Sequence, residues 1–240
     1  MEYDFISKST FFPKKGILVI GDLHLGYEYT LREAGSLIPA TQFSETKKDL
    51  QNILEIIKKR GHKLKKIIFL GDIKHFFGYN KGEKNLFIEL MSILGKNIDI
   101  SNIIVLRGNH EKMAEIADKK LIDYYKDEEI VFIHGDIEIK EAFGKDVKYI
   151  VMGHLHPAIT LRDSQNIKAE KYKCFLTGKY RGKEIIILPS FLPLVEGTSL
   201  NEHLSNNRCI IPAKNLERFD VHIIGKEKTY KFGLLKKIMK

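Results

Sequence analysis

Short apolar, β-branched runs alternate with amphipathic stretches along this chain, the pattern of a layered α/β protein rather than a bundle or sandwich of one element type. Ile17-Leu18-Val19-Ile20, Lys66-Ile67-Ile68-Phe69-Leu70, Ile103-Ile104-Val105-Leu106, Ile130-Val131-Phe132-Ile133 and Tyr149-Ile150-Val151-Met152 each predict a buried strand. Between the first two, Leu50, Ile53, Leu54 and Ile57 recur at helical spacing, and Lys58-Lys59-Arg60-Gly61 supplies cations for a last turn and a glycine stop. A second helix is expected over residues 83–94, with Leu86, Leu90, Ile93 and Leu94 inward, and a third over residues 111–121. Beyond Pro157 the chain becomes β-rich: residues 172–177 and 183–188 flank Gly178-Lys179-Tyr180-Arg181-Gly182, which reads as a hairpin with a glycine-bounded loop. The basic tail over residues 226–240 alternates Lys with Phe232, Leu234, Leu235 and Ile238, which suits either a short amphipathic helix over the core or a phosphate-contacting segment.

Composition narrows the class without naming a function. The chain has 240 residues, 43% of them hydrophobic, enough to bury a full core and to exclude a disordered or collagen-like chain. Its net charge of +9, from 40 Lys+Arg against 31 Asp+Glu, is mostly lysine scattered among glutamates, so a solvated surface and an anionic polymer partner both stand. Cys174 and Cys209 are too few for a disulfide framework and too far apart for a zinc knuckle, so reduced thiols in a cytoplasmic protein are expected. No apolar run approaches the roughly 20 residues that cross a bilayer, and Met1-Glu2-Tyr3-Asp4 does not open a signal peptide. No membrane partner is expected.

The chemistry lies at the ends of the five strands. Gly21-Asp22-Leu23-His24, Gly71-Asp72-Ile73-Lys74-His75, Gly108-Asn109-His110-Glu111, His134-Gly135-Asp136 and Gly153-His154-Leu155-His156 each follow one of them directly. In open α/β sheets the carboxyl ends of adjacent strands converge on one crevice, so residues distant in sequence can meet there. Any one cluster is weak, but their conjunction points to a shared metal site. Asp, His and Asn without a thiolate suit borderline to hard divalent ions. The donors are too many for one ion, whereas a carboxylate can bridge two, and a two-metal site clamps the attacking and leaving oxygens of a phosphoryl displacement.

In order and spacing these motifs resemble the calcineurin-like metallophosphoesterases, whose pattern is D-x-H, G-D, G-N-H-E/D, a lone H and G-H-x-H. The resemblance implies that Asp22, His24 and His156 hold one metal, that Asn109, His134 and His154 hold the other, and that Asp72 bridges both. Manganese is the leading ion, with iron, zinc or nickel as alternatives. His110 matches the family's catalytic histidine, which stabilises the phosphorane-like charge and donates a proton to the leaving alkoxide. The second motif lacks the aspartate and arginine of the protein phosphatases, and its G-D-x-x-H form is similar to phosphodiesterase and nuclease members. That makes His75 a second candidate catalytic group, with a purely structural histidine as the alternative, and Arg107 and Lys74 candidate substrate-binding cations. Glu111 and Asp136 are either acceptors for the second ring nitrogens of the neighbouring His110 and His134 or solvent-facing charges. Asp22-Leu23-His24-Leu25-Gly26-Tyr27-Glu28 with Pro39 and Gln42, and Leu188-Pro189-Ser190-Phe191-Leu192-Pro193 followed by Glu196-Gly197-Thr198, look like the ICC-like group that includes the DNA-ligase-associated phosphoesterase. The likeness covers residues 16–201.

The fold expected is α/β, two mixed β-sheets packed face to face with flanking helices in a four-layer sandwich. A doubly wound single sheet is the alternative, disfavoured by the β-rich second half. One domain over residues 1–240 is expected, with 172–240 as its β-rich C-terminal part. The function expected is dinuclear metal-dependent hydrolysis of nucleotide or nucleic-acid phosphodiesters, the substrate being a polymer or a cyclic nucleotide. Alternatives are a phosphomonoesterase, a non-catalytic metal-binding scaffold and a DNA-binding module. A homodimer remains open.

Overall fold

Because both faces of the apolar runs must be covered, they assemble as the inner strands of two sheets. The computed structural model describes residues 1–78, 80–112, 114–163, 165, 167–204 and 209–239. Among these, β1 (Asp4–Ile6), β2 (Ser9–Phe12), β3 (Ile17–Ile20), β4 (Lys66–Phe69) and β5 (Ile103–Val105) form one sheet in that order. The β1–β2–β3 part is antiparallel, and β3, β4 and β5 are parallel. Helices α1 (Tyr27–Glu33) and α2 (Gln42–Lys59) lead from β3 to β4, and α3 (Lys81–Leu94) lies between β4 and β5.

A small hairpin, β6 (Glu115–Ile116) and β7 (Lys119–Lys120), precedes the second sheet. That sheet contains β8 (Tyr124–Asp127), β9 (Ile130–Ile133), β10 (Tyr149–Met152), β11 (Pro157–Arg162), β12 (Ala169–Tyr180), β13 (Lys183–Ile187), β14 (Thr198–Ser199), β15 (Asp220–Ile224) and β16 (Thr229–Leu234). Its spatial order is β14-β11-β12-β13-β10-β9-β8, with β15 pairing β12 and β16 at its outer side. Strands β9, β10 and β13 run parallel. Short helices α4 (Leu200–His203) and α5 (Ala213–Leu216) cover part of it.

Alternation along each strand separates three apolar layers. Between the sheets, Phe12, Val19, Ile68 and Leu70 meet Phe132, Val151, Ile186 and Leu188, all buried. Leu18, Ile20, Ile67 and Phe69 point the other way, onto Leu50, Ile53 and Ile57 of α2 and Phe87, Leu90 and Leu94 of α3. On the far side Ile133, Ile150, Met152 and Ile187 pack under Leu200, Leu216 and Leu235. The two-sheet sandwich is therefore present and the doubly wound single sheet is not. No described helix is long and apolar enough to cross a membrane.

Several local expectations are corrected. Residues 111–121 form no helix: Ala117 and Asp118 both take positive φ, 47° and 63°, which is the hairpin turn of β6 and β7; Met113 lies outside the described residues. The inward face of α3 is Phe87, Leu90, Met91 and Leu94, with Leu86 and Ile93 at its margins. The later hairpin is tighter than its glycines suggested, because β12 runs on to Tyr180 and only Arg181 and Gly182, at φ 48° and 76°, make the turn. The tail is strand β16 and a 3-10 turn at Leu235–Lys237, not an amphipathic helix. Leu235 is buried while Phe232 is exposed; residues 205–208 and 240 of the C-terminal part lie outside the described residues.

Candidate metal centre

Every candidate ligand stands on the turn just past a parallel strand: Asp22 and His24 after β3, Asp72 after β4, Asn109 after β5, His134 after β9, His154 and His156 after β10. Four of them, His24, Asp72, His154 and His156, hold positive φ of 45° to 63°. Such a backbone costs about 1–3 kcal/mol each and persists where surrounding structure imposes it. The loops are stitched together by main chain: the Leu23 and His24 amides donate to the Asp72 carbonyl at 3.1 and 2.9 Å, and the His154 amide donates to Asp22 Oδ1 at 3.1 Å. Gly108 is required beside them, since a Cβ there would stand 2.1 Å from Asp72 Oδ1.

Three overlapping groups result: two share Asp72, and the third is formed by His24, His75 and His110. Asp22, His24, Asp72 and His156 offer ligand atoms that all lie within 4.8 Å of one another, and so do Asp72, His134 and His154. Asn109 Oδ1 is 3.2 Å from His134 Nε2, which brings it to the second group. The two groups that share Asp72 bring together the residues that the family resemblance would assign to two ions. Each of these two also draws on both sheets: Asp22, His24, Asp72 and Asn109 come from the five-stranded sheet, His134, His154 and His156 from the nine-stranded one.

The donor set fits cations on physical grounds. His134 Nδ1 donates to the Leu70 carbonyl at 2.9 Å, so its Nε2 is left facing Asn109 Oδ1 at 3.2 Å and Asp72 Oδ2 at 3.5 Å. The ring nitrogens His24 Nε2 and His156 Nε2 face each other at 3.3 Å, with Asp22 Oδ1 3.3 Å from the latter. Converging lone pairs of this kind are unfavourable unless a cation or a proton sits among them. Buried Nδ1 atoms of His24 and His75 have no hydrogen-bond partner among the described residues.

Protonation follows the same crowding. Burial pushes the Asp22 carboxyl up, but the imidazoles of His156, His134 and His24 outweigh it and hold Asp22 well below the usual carboxylate range. Asp72 goes the other way: burial and the charge of Asp22 raise it to about 6, against His134 and the His110 amide. His134 is raised in spite of burial by Asp22, Asp72 and Asp136. His24 and His154 are lowered, by burial first and then by His156 and His134 respectively. In the metal-free chain, then, Asp72 is protonated below pH 6, and a metal ion entering below that pH must displace its proton. Apparent Mn²⁺ affinity should fall about tenfold per pH unit below 6 for each proton displaced, and hold steady above His134's titration. Calorimetric titration in two buffers of different ionisation enthalpy, at pH 5 and pH 8, counts those protons; equal release at both would contradict the raised Asp72.

His110 stands beside Asp72 and, with His24 and His75, forms the third group of imidazoles close enough to hold a cation. Its Nδ1 donates to the His75 carbonyl, and its Nε2 lies 3.8 Å from Asp72 Oδ2. Burial lowers both His110 and His75, the latter also through His110 and Lys74. The two rings, with centroids 5.4 Å apart, line a cavity of about 240 Å³ together with Tyr27, His24 and His156. The segment after β13 closes it with Ser190, Leu192 and Val195. Neither proposed substrate cation lines this cavity. Lys74 donates to the carbonyls of Phe76 and His110, the latter at 2.9 Å, while Arg107 faces a separate cleft behind His134 and pairs with Asp123 at 3.4 Å.

The supporting groups differ from those the motifs suggested. Glu111 does not bond His110's ring. Its buried carboxylate accepts the amides of Asp72 and Gly108, both at 2.9 Å, and of Lys74 at 3.2 Å, so it fixes the loop that carries the shared ligand. Asp136 acts on His134 only through its charge, since Nδ1 is taken by Leu70. Three residues went unassigned. Glu83 accepts the amides of His75 and Phe76 at 3.2 and 2.8 Å, Gln42 donates to the His24 carbonyl at 2.7 Å, and the Gln42 amide donates in turn to Glu28 Oε2 at 2.8 Å. Their signal is a polar side chain on the inward face of a helix start. Glu111→Gln should cost about 1.5–3 kcal/mol of stability, the range for buried bonds to a charged acceptor, read as a lowered denaturation midpoint; no change would show the three amides to be satisfied otherwise.

With the site described, its class follows. The chain belongs to the calcineurin-like phosphoesterase family, whose sequence signature spans residues 16–210. Its structure is similar to that of the nuclease MPE from Pseudomonas putida, with TM-score 0.61 and 17% identity over 96% of this chain and 100% of that one. Looser likenesses are to zinc-complexed Vps29 from Entamoeba histolytica, TM-score 0.40 and 15% identity over 90% and 96% of the two chains, and to a protein of Streptococcus pneumoniae TIGR4 described as a predicted phosphoesterase, TM-score 0.32 and 12% identity over 95% and 99%. No curated protein sequence matches this chain.

Proposed function

We propose that this protein is a dinuclear metal-dependent phosphodiesterase that hydrolyses nucleotide or nucleic-acid phosphodiester bonds with a metal-activated water. The observation that carries it is the pair of ligand groups sharing Asp72, with His110 alongside. Asp22, His24, Asp72 and His156 would hold one ion, and Asp72, Asn109, His134 and His154 the other, with manganese first and iron, zinc or nickel as alternatives. When bound, the ions supply Lewis acidity and a water acidic enough to attack at neutral pH.

His110 is the proton donor. Burial keeps its imidazole neutral near pH 7, and the arrival of an anionic diester raises it, so the proton comes to Nε2 when the leaving alkoxide needs it. Its Nδ1 bond to the His75 carbonyl keeps Nε2 turned inward. His75 faces the same space and is the second group that can contact phosphate oxygens.

A diester is favoured because no lysine or arginine is among the described residues lining the cavity. A terminal phosphate dianion calls for such cations, and a diester monoanion needs fewer. Phe76 and Phe77 stand half exposed next to the histidines, Phe77 stacked on His110 with centroids 4.1 Å apart, and such rings suit a nucleobase. The net charge of +9 suits a polyanion, and the Pseudomonas putida neighbour is a nuclease. A reducing cytoplasm fits a sequence with only two cysteines, Cys174 and Cys209.

Chelator-stripped protein, reloaded with Mn²⁺, Zn²⁺ or Mg²⁺, should hydrolyse bis(p-nitrophenyl) phosphate faster than p-nitrophenyl phosphate. Preference for the monoester would replace this reading with a phosphatase, and no turnover with two ions bound would replace it with a scaffold.

A further inference from the structure

One wall of the cavity, the segment from Pro189 to Gly197, is held from behind by three lysines. Lys173 of β12 donates to the carbonyls of Ser190 at 2.9 Å and Leu192 at 2.7 Å. Lys8, in the turn between β1 and β2, donates to the carbonyl between them, that of Phe191, at 3.0 Å, and lies 4.6 Å from the centre of the Phe191 ring. Lys171 reaches the Gly197 carbonyl at 3.3 Å. From the other side the same segment is tied to two candidate ligands. The Phe191 amide and the Ser190 hydroxyl donate to the Asp22 carbonyl at 2.8 and 3.1 Å, and the Thr198 amide donates to the His156 carbonyl at 2.8 Å. Gly197, at φ 112°, leaves no room for a side chain, since a Cβ would stand 2.2 Å from the His156 carbonyl oxygen.

Burying an ammonium group is costly unless something compensates it. Lys8 is compensated by Asp49 at 2.6 Å. Lys173 is only 7% exposed, and among the described residues no carboxylate lies within ion-pair distance of it. Burial and the charge of Lys8 push its ammonium down to about 7, against Glu196, Asp22 and Asp49. Such a group is a poor means of stabilising a fold, and what it does hold is one stretch of backbone lying between the cavity and the Asp22 loop.

We propose that Lys173, seconded by Lys8, is a positioning residue that sets the cavity wall against which the substrate binds, and so governs substrate affinity rather than the chemical step. The kinetic half of this rests on the phosphodiesterase reading; the structural half does not.

The test uses the metal-loaded full chain with Lys173→Met, Lys173→Arg and Lys8→Met. Hydrogen exchange of the amides over residues 190–198 should quicken by about tenfold or more in Lys173→Met while the strands of both sheets stay protected. Lys173→Arg, which keeps a charge, should recover part of that protection, and Lys8→Met should loosen the same amides. For bis(p-nitrophenyl) phosphate, KM should rise about tenfold in Lys173→Met, with kcat within about twofold and two ions per chain retained. Unchanged exchange in the wall, a uniform loss of protection across both sheets, or a fall in kcat at constant KM would each overturn the proposal. If the unmodified protein hydrolyses no diester, the phosphodiesterase reading fails and the exchange experiment alone decides the role of Lys173.

Discussion

Asp72→Asn is expected to abolish tight binding of both ions together and, with it, diester hydrolysis. Asp72 is the one residue common to the two ligand groups that draw on both sheets, and it is buried. Removing one partner from a buried charge cluster costs about 3–5 kcal/mol, which is about two to four decades in affinity at 1.4 kcal/mol per decade. The variant should nevertheless fold, because the asparagine side chain keeps an oxygen able to accept the His110 amide now held by Asp72 Oδ1 at 3.0 Å. Metal content by atomic emission after dialysis, alongside circular dichroism, checks both halves. Retention of one tightly bound ion would show that the two groups are separable and that Asp72 is not their common ligand.

His110→Ala should lower kcat by about 10²–10⁴, the usual contribution of a positioned general acid, while leaving two ions bound. The contrast with Asp72→Asn is diagnostic, since one variant loses metal and the other loses chemistry. It should also depend on the leaving group: p-nitrophenolate departs with little need of a proton, so the loss should be smaller for the nitrophenyl diester than for a dinucleotide. An equal loss on both substrates would assign His110 to charge stabilisation rather than proton donation. KM should change little in either case.

The strands and the candidate ligands were legible in the sequence for the same reason. A strand buried on both faces is written as an unbroken apolar run, and the turn that follows it must be polar or glycine, so Ile17–Ile20 and Ile130–Ile133 announced Asp22 and His134 together. Residues serving the site through backbone groups were not legible. Asn80 caps α3 by accepting the Glu83 amide at 3.1 Å. The Glu83 carboxylate, however, leaves its own helix to bond His75 and Phe76. Lys74 and Arg107 lie off the cavity for a related reason: adjacency to a candidate ligand in sequence fixes the backbone position, whereas the direction of a long side chain is decided by the nearest buried carbonyls and carboxylates. The hairpin at Glu115–Lys120 defeated periodicity because Ala117 and Leu121, four residues apart, also fit helical spacing, and nothing in their neighbours' types demands positive φ at Ala117 and Asp118.

Because each of the two ligand groups sharing Asp72 takes members from both sheets, the two ions would act as rivets driven across the seam of the sandwich. Among the described residues no disulfide joins the sheets there; apolar side chains such as Phe12 against Phe132 hold the seam, with hydrogen bonds such as the His154 amide to Asp22 and His134 Nδ1 to the Leu70 carbonyl. Demetallation and the parting of the sheets then become linked equilibria, each ion at a hundred times its dissociation constant adding about 2.7 kcal/mol to the folded state. A chelator would act as a denaturant of this seam in particular, and the supply of metal in the cell would set the lifetime of the fold as well as the turnover of the site.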